Sequence, residues 1–315
     1  DLEIIKPVVF TGMILKIIKR RHLSPELEIV SEEKLCYFLY IFFSGSSVGD
    51  FPKYNINISN GIKMQEVKEL NLFEYTYCGN YNRQIQNLAR IVPEKWSFGG
   101  NDDNGILKGY LEHTFQRVYE EEKLLETEEY AIFNTGLFNM YYQPVYAYFI
   151  PNLVPDRQRW FLDGFYTEYH LLKSGIVNLP KRAEYVTDPS ELIFDTGLDI
   201  VPQYEHIFEE TENCQRLPET IRGSVMKVQL FDGALRQTKR MLEADYRTAI
   251  PQYYNHGIQF LIPVCLQNPD RADLALACVK TEDGRKYLGR TCLTLKMAYH
   301  NARLLAKIHS SWLYP

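Results

Sequence analysis

The sequence predicts an α+β protein with a mainly antiparallel central sheet, flanked by long helices and preceded by a small N-terminal extension. Three observations lead to this class. Short apolar and β-branched segments occur in groups bounded by turn residues, as in antiparallel hairpins. Two long segments instead repeat their apolar residues at helical spacing. Strands and helices are also grouped along the chain rather than alternating singly, which argues against a sheet built from βαβ units.

The composition is that of a folded soluble protein. The chain has 315 residues, of which 45% are hydrophobic and 24% charged. Its longest apolar run, residues 35–43, is much shorter than the roughly 20 residues that a spanning helix needs, so we predict no membrane partner. The 6 cysteines form no Cys-x-x-Cys pair, which indicates neither a zinc ribbon nor a disulfide framework. We therefore predict reduced thiols in the cytoplasm or another reducing intracellular compartment.

Residues 1–70 are predicted to be an N-terminal extension. The letters "ILKIIKRRHLSPELEIVSEEKL" indicate a short basic helix and a proline-marked turn. The stretch "SGSSVGDFPKYNINISNG" that follows has the Gly, Ser, Asn and Pro density of a loop or linker. We place a boundary near Asn71, which leaves residues 71–315 as one α+β core domain.

The first half of the core contains two predicted helices followed by three strands. "RQIQNLARIVPEKW" indicates a helix that ends or turns at Pro93. After the turn cluster "SFGGNDDNG", the segment "ILKGYLEHTFQRVYEEEKLLE" has helical periodicity, with Asn104 available as its N-cap. Strands are predicted at residues 130–137 and 144–150, and "RWFLDGFY" is a third.

The second half contains one long helical pattern and a group of strands. Residues 217–246 have apolar side chains at helical spacing, with Gly233 as the candidate break. Strands are predicted at residues 257–266, 273–280 and 286–295, and "EDGR" indicates a hairpin between the last two. The all-apolar "LALACV" indicates a central strand covered on both faces.

Charge is unevenly distributed along the chain. The net charge is -5, yet residues 217–315 carry 14 basic and 8 acidic side chains, a net of +6, and the remainder carries 21 and 32, a net of -11. This asymmetry is compatible with an anionic ligand held by the C-terminal third. Solvated charges that are unevenly spread explain it equally well.

Two C-terminal segments supply candidate binding residues. In "AIPQYY", Pro251 cannot donate to a central ladder, so this segment is an edge strand or a strand entrance, and the following "NHG" is a tight turn. Four polar residues are thereby placed where a sheet meets solvent: Gln252, Tyr253, Tyr254 and Gln259. Their amides suit base edges and their rings suit base stacking, or they are rim residues of no consequence.

The second segment is "YHNAR". Tyr299 and Arg303 share a face whether the segment is a helix or a strand, whereas Asn301 joins them only if it is extended. An arginine beside a tyrosine can bind a phosphate with two hydrogen bonds or stack on a base. The alternative is that Arg303 pairs with a core carboxylate while Tyr299 packs.

Catalytic signatures are weak. "IFNTGL" and "IFDTGL" resemble aspartic protease loops, but one copy has Asn134 where the other has Asp195, so two carboxylates cannot share a proton. His206 with Glu210 is too small a set for a metal, and no metal site is predicted. No cofactor is evident from the sequence. If the protein is hydrolytic, Asp195 or Glu94 with His206 are the acid–base candidates, and a divalent-metal requirement would distinguish that function from plain binding.

Ten segments in order resemble an uncharacterised family, domain of unknown function 3825, over residues 71–313. They are "LARIVPEKW", "ILKGYLEHTFQRVYEE", "AIFNTGL", "VYAYF", "LIFDTG", "EHI", "AIPQYY", "QFLIPVCL", "DLALACV" and "TCLTLKMAYHNARLL". The resemblance implies a role in RNA metabolism, because members of this family are often joined to cold-shock or other nucleic-acid-binding modules. The polar positions that match its motifs are Glu94, Trp96, Asn134, Asp195, His206, Gln252, Tyr253, Gln259, Tyr299, Asn301 and Arg303.

These observations predict an RNA- or nucleotide-binding domain acting in RNA metabolism. Its cleft would be formed by the central sheet, the "NTG" turn at Asn134 and the "YHNAR" segment. Arg303 would hold phosphate, Gln252 and Asn301 would read polar edges, and Tyr253 or Tyr299 would stack. One alternative is a phosphodiesterase or nucleotide hydrolase. The other is a protein-interaction scaffold, in which the +6 charge would be spread over the surface rather than gathered in one concavity.

Overall fold

A computed structural model describes residues 70–100 and 103–315, together with the backbone of β1 (Tyr54–Asn57) and β2 (Lys63–Glu66). These two strands pair antiparallel. Because β1 lies within the segment predicted to be a loop or linker, that prediction is wrong there; the alternation in "YNIN" has the period of two that a strand requires. The basic helix and turn predicted before residue 44 lie outside the described residues.

By its contacts the chain divides after Glu69 into two units. The division into an extension, residues 1–70, and a core domain, residues 71–315, stays a prediction. The two five-stranded sheets and their helices belong to the second unit, Leu70–Pro315.

The first five-stranded sheet has the order β3–β7–β6–β5–β4. Its neighbours are antiparallel except for the parallel pair of β3 and β7. The strands are β3 (Thr76–Tyr77), β4 (Leu125–Glu126), β5 (Ala131–Phe138), β6 (Pro144–Pro151) and β7 (Trp160–Thr167). The three strands predicted in this region are therefore confirmed as β5, β6 and β7.

The second five-stranded sheet has the order β8–β12–β11–β10–β9, with one parallel pair, β8 and β12. Its strands are β8 (Asp199–Pro202), β9 (Ile250–Tyr254), β10 (Gly257–Val264), β11 (Leu274–Lys280) and β12 (Lys286–Leu293). The strand that contains "LALACV" is β11, and its central position is confirmed. The predicted β11–β12 hairpin and the edge position of β9 are confirmed as well.

The described residues also form helices α1 to α9. They are α1 (Leu72–Tyr75), α2 (Tyr81–Ile91), α3 (Gly105–Glu120), α4 (Glu168–Lys173), α5 (Tyr204–Phe208), α6 (Thr211–Arg216), α7 (Glu219–Arg222), α8 (Lys227–Ala244) and α9 (Leu295–Arg303). The α+β class is thus confirmed. The finer prediction is corrected, because two mixed sheets replace one mainly antiparallel central sheet and most helices are short.

The second unit is built in layers. Helices α2 and α3 pack on the first sheet, α9 packs on the second sheet, and α3 and α9 contact each other. One core therefore runs from Phe133 of the first sheet through Phe115 of α3 and Ala302 of α9 to Ala277 of the second sheet. The small side chains of α9 and β11 let the helix approach the sheet closely. The opposite face of the second sheet is covered by α5 and α8.

Two details of the helix predictions are wrong. The pattern over residues 217–246 breaks between α7 and α8, where Gly223 caps α7, whereas α8 runs unbroken through Gly233. Asn104 occupies the predicted N-cap position of α3 with a left-handed backbone, but its side chain forms no capping hydrogen bond, and the Asp103 carboxylate accepts from Gly105 N instead. The predicted end of α2 before Pro93 is confirmed.

Within the described residues, no helix is long and apolar enough to cross a membrane. The described cysteines, which are Cys78, Cys214, Cys265, Cys278 and Cys292, are all free thiols.

Candidate functional site

Arg303 is buried and fully engaged with its neighbours. It is 6% exposed. Its guanidinium donates two hydrogen bonds of 2.9 Å to the Glu94 carboxylate and lies 5.0 Å from the ring centroid of Trp96 and 4.8 Å from that of Tyr110. The alternative of an arginine paired with a core carboxylate is therefore the arrangement found. In this arrangement the phosphate-binding fork of Arg303 is already occupied.

Tyr299 is also buried, one turn before Arg303 on α9, and its ring packs near Phe98. Burial raises the pKa of the Tyr299 phenol, and the positive charge of Arg303 opposes that rise. The alternative in which Tyr299 packs in the interior is thus the arrangement found, and its buried ring does not offer an open face to a base.

The "NTG" segment is a bulge inside β5 rather than a turn at its end. The register with β6 shifts between Asn134 and Leu137, and Gly136 has a φ of 71°. The Asn134 amide donates to Pro180 O at 3.3 Å, and its oxygen accepts from Gly136 N at 3.0 Å. Asn134 is therefore buried with both ends of its amide engaged.

The prediction that Gln252 lies where the sheet meets solvent is wrong, because its side chain is buried and the residue is 1% exposed. It is directly opposite Gln259 in the β9–β10 pair, and its Nε2 donates to Gln259 Oε1 at 3.1 Å. Asn301 of α9 donates to Gln252 Oε1, also at 3.1 Å. The edge strand is covered here because α9 packs on β9. The three amides form a chain that links the helix to the sheet.

Tyr253 is next to this chain but faces other partners. Its ring is 4.8 Å from that of Tyr185, and the Arg117 guanidinium lies 5.7 Å above it. Tyr254 is exposed at the start of the tight turn, where Asn255 and His256 both have positive φ, so the predicted turn is confirmed. Tyr253 and Tyr299 were the residues proposed to stack on bases, and neither lines either of the two cavities found along α2.

The three acid–base candidates each have other partners. Glu94 is held by Arg303, whereas Asp195 accepts from Gly197 N and lies 3.9 Å from the Lys280 ammonium. His206 contacts Glu210 through Nδ1 and Asn213 through Nε2. In residues 70–100 and 103–315, no hydrogen bond or ion pair joins any two of the three candidates, and no group of three His, Cys, Asp or Glu is arranged to hold a metal.

A site that the sequence reasoning missed lies along α2. Two adjoining cavities, of about 720 and about 500 Å³, share Gln86 and Arg90, and we call them together the α2 groove. The larger is lined by Gln86, Ala89, Arg90, Glu94, Lys95, Trp96, Ser97, Gly100, Asn104 and Pro315. The smaller is lined by Asn80, Asn82, Arg83, Gln86, Asn87 and Arg90.

The sequence of α2 explains why this polar face points outward. Asn80 caps the helix by accepting from Arg83 N at 3.1 Å. Ile85 and Leu88 are fully buried, and Gln84 donates to two carbonyls of β7, so this side of the helix is fixed to the sheet. Residues three and four apart fall on one face, which places Arg83, Gln86 or Asn87, and Arg90 in a line away from the core.

The described side chains that line the α2 groove carry three positive charges and one negative charge. Arg83, Arg90 and Lys95 are exposed, and none of them forms an ion pair with another described residue. The one carboxylate side chain among the described lining residues is that of Glu94, whose charge is offset by Arg303. Such a surface attracts anions and holds them in a recess. The sequence signal was the spacing of the arginines in "RQIQNLAR", a segment that we predicted only to be helical.

The positive charge of residues 217–315 does not contribute to the α2 groove. Five of its cations pair with nearby acids: Lys239, Arg247, Lys280, Arg285 and Arg303. No lysine or arginine from residues 217–315 lines either cavity of the α2 groove. The cations of the groove come instead from the acidic part of the chain.

The fold and groove define an α+β domain with two mixed sheets, a buried arginine–glutamate pair and a basic recess. A family model, "Domain of unknown function (DUF3825)", matches residues 88–312. The chain therefore belongs to this family, and the resemblance seen in its sequence is confirmed. The matched region includes Arg90, Lys95 and Arg303 and begins after Arg83. No curated protein and no solved structure matches the chain.

Proposed function

We propose that this protein binds RNA or a nucleotide in the α2 groove. The observation that carries the proposal is the set of three exposed cations, Arg83, Arg90 and Lys95, which line a recess without acidic partners among the described residues. Arginine binds phosphate with two parallel hydrogen bonds, and unpaired cations in a concave surface raise the local concentration of anions. Side-chain amides in the same recess suit the polar edges of bases.

The buried pair gives Arg303 an indirect part in this function. Glu94 lies next to Lys95 and lines the larger cavity, so without a partner its carboxylate would repel a phosphate there. Arg303 offsets that charge and fixes the carboxylate with two hydrogen bonds. Arg303 is therefore a positioning residue in this proposal, and the cations that face the ligand are those of α2 and Lys95.

The test is a salt series with end-labelled single-stranded RNA, with and without magnesium, recording bound fraction and product length. Arg90→Gln is the informative variant, because Arg90 lines both cavities. Arg240→Gln is the matched control: Arg240 is also an exposed helical arginine, on α8, and lines neither cavity. We expect salt-sensitive binding that Arg90→Gln weakens several-fold and Arg240→Gln leaves unchanged.

Each outcome of this experiment decides between functions. Equal loss from both substitutions would show nonspecific attraction and contradict the groove. Shortened products that require magnesium would favour the hydrolase alternative over binding alone. If the folded protein binds neither RNA nor nucleotides at low salt, the proposal is wrong and the scaffold alternative is favoured.

A further inference from the structure

The cations of the α2 groove are spread over a greater length than one nucleotide. Arg83 and Arg90 are seven residues apart on α2, which at 1.5 Å per residue is about 10.5 Å along the helix axis. Seven residues are close to two turns, so the two side chains emerge on the same face. Along the axis of duplex DNA each strand carries one phosphate about every 3.4 Å, so for a strand stacked in this way the interval corresponds to about three nucleotide steps.

We infer that the ligand is a single-stranded RNA segment of about four nucleotides or more, lying along α2. This inference rests on the proposed function and names its substrate class. Arg83 and Arg90 each hold a phosphate, and Lys95, beyond the end of the helix at Ile91, lies in the larger cavity where the strand continues. A nucleoside monophosphate has a single phosphate, whereas a strand offers one phosphate to each of these positions.

The space between the two arginines is lined by amides. Gln86 and Asn87 lie between Arg83 and Arg90, and Asn82 and Asn80 line the smaller cavity beside Arg83. An amide offers both a donor and an acceptor, so it can pair with the Watson–Crick edge of an unpaired base. Alternating cations and amides match alternating phosphates and bases better than they match the three clustered phosphates of a nucleoside triphosphate.

A double helix fits this surface less well. A helix that reads a duplex protrudes into the major groove, and the major groove of A-form RNA is too narrow for side chains to read. The polar face of α2 instead forms the wall of two adjoining cavities, with Gln84 on another side of the helix bonded to β7. A recess of this kind admits a flexible strand.

The test measures affinity against ligand length. Labelled uridine monophosphate and uridine oligomers of increasing length, up to an octamer, would be titrated at one low salt concentration, with an RNA hairpin stem as the duplex arm. We expect affinity to rise about tenfold or more from dinucleotide to octamer, because linked contacts act together. Three phosphate contacts to a single strand also predict a log–log salt slope of about -2 for the octamer.

Substitutions test whether the RNA contacts both ends of α2. Arg83→Gln should lower octamer affinity more than dinucleotide affinity and reduce the salt slope by about 0.7, and Arg240→Gln should change neither. If the mononucleotide binds as tightly as the octamer, or the stem binds best, the inference is overturned while the proposed function stands. If no ligand of any length binds the folded protein, both fail.

Discussion

Three side chains stabilise the positive charge of Arg303 in the protein interior. Glu94 supplies the opposite charge and two hydrogen-bond acceptors, and the faces of Trp96 and Tyr110 lie within about 5 Å of the guanidinium. The sequence left two readings of Arg303 open because its partner is 209 positions away along the chain. Residue types can indicate that a buried arginine needs an acid, but not which acid the fold will bring to it.

Removing one member of this pair should be strongly destabilising. Arg303→Met leaves the Glu94 carboxylate without its partner in a mostly buried site, for which we expect a loss of about 3–5 kcal/mol in the free energy of unfolding. Urea denaturation would measure it. Adding Glu94→Gln to Arg303→Met should recover part of the loss, because the two positions interact directly. A cost below about 1 kcal/mol for Arg303→Met would contradict this role.

His300 predicts a pH dependence of stability. Its pKa is lowered, first by burial and then by the charges of Lys296 and His113, and its Nε2 is buried without a hydrogen-bond partner among the described residues. Since the folded state resists protonation, the unfolded state binds the proton more readily. Stability from this group is therefore complete above the ordinary pKa of histidine, about 6.5, and is lost as the pH falls below it.

The measurement is the free energy of unfolding at pH 7.5 and at pH 5.5 for the protein, for His300→Gln and for His309→Gln. His309 is exposed and serves as the control. We expect the loss of stability on acidification to be smaller in His300→Gln and unchanged in His309→Gln. An identical loss in all three proteins would show that His300 is not responsible.

At the scale of single elements, hydrophobic periodicity located most strands and helices but not their irregularities. The bulge in β5 is an example: alternation predicted the strand, whereas the bulge depends on Gly136 meeting Tyr110 of α3. A Cβ at residue 136 would lie 2.8 Å from the Tyr110 hydroxyl, and the φ of 71° is unfavourable for other residues. Such a contact depends on packing between elements, which a local pattern does not contain.

Gly136→Ala should therefore destabilise the protein by about 2–3 kcal/mol, from the left-handed backbone and from displacement of the Tyr110 hydroxyl off Thr135 O. Tyr110→Phe removes the clashing oxygen. In the double variant we expect a smaller loss than the sum of the two single losses, measured by urea denaturation. Strict additivity would show that residue 136 does not press on Tyr110.

At the scale of the whole second unit, the sequence predicted the class but not the number of sheets. Each sheet contains one parallel pair between strands far apart in the chain: Thr76 pairs with Trp160, and Asp199 with Lys286. Strand patterns do not specify such partners. Gln252 was predicted to face solvent, and Tyr299 and Arg303 were predicted to line a cleft. The layers instead place α9 between the sheets, which buries all three residues.

Because one core runs through both sheets by way of α3 and α9, the two sheets should unfold together. Hydrogen exchange under increasing urea should give the same free energy of opening for the central strands β6 and β11. The exposed α2 face and the β9–β10 turn should exchange earlier and serve as internal references. Loss of protection in one sheet while the other remains protected would contradict a shared core.

Because Trp96 lines the larger cavity, its intrinsic fluorescence should report whether the α2 groove is occupied. Its indole donates to Val92 O, stacks near Arg303 and forms part of the wall of the larger cavity, whereas Trp160 and Trp312 line neither cavity. An occupant of the α2 groove should therefore change the emission of one of the 3 tryptophans and leave the other two as a constant background. Intrinsic fluorescence can follow occupancy without a label, and Trp96→Phe should abolish the signal.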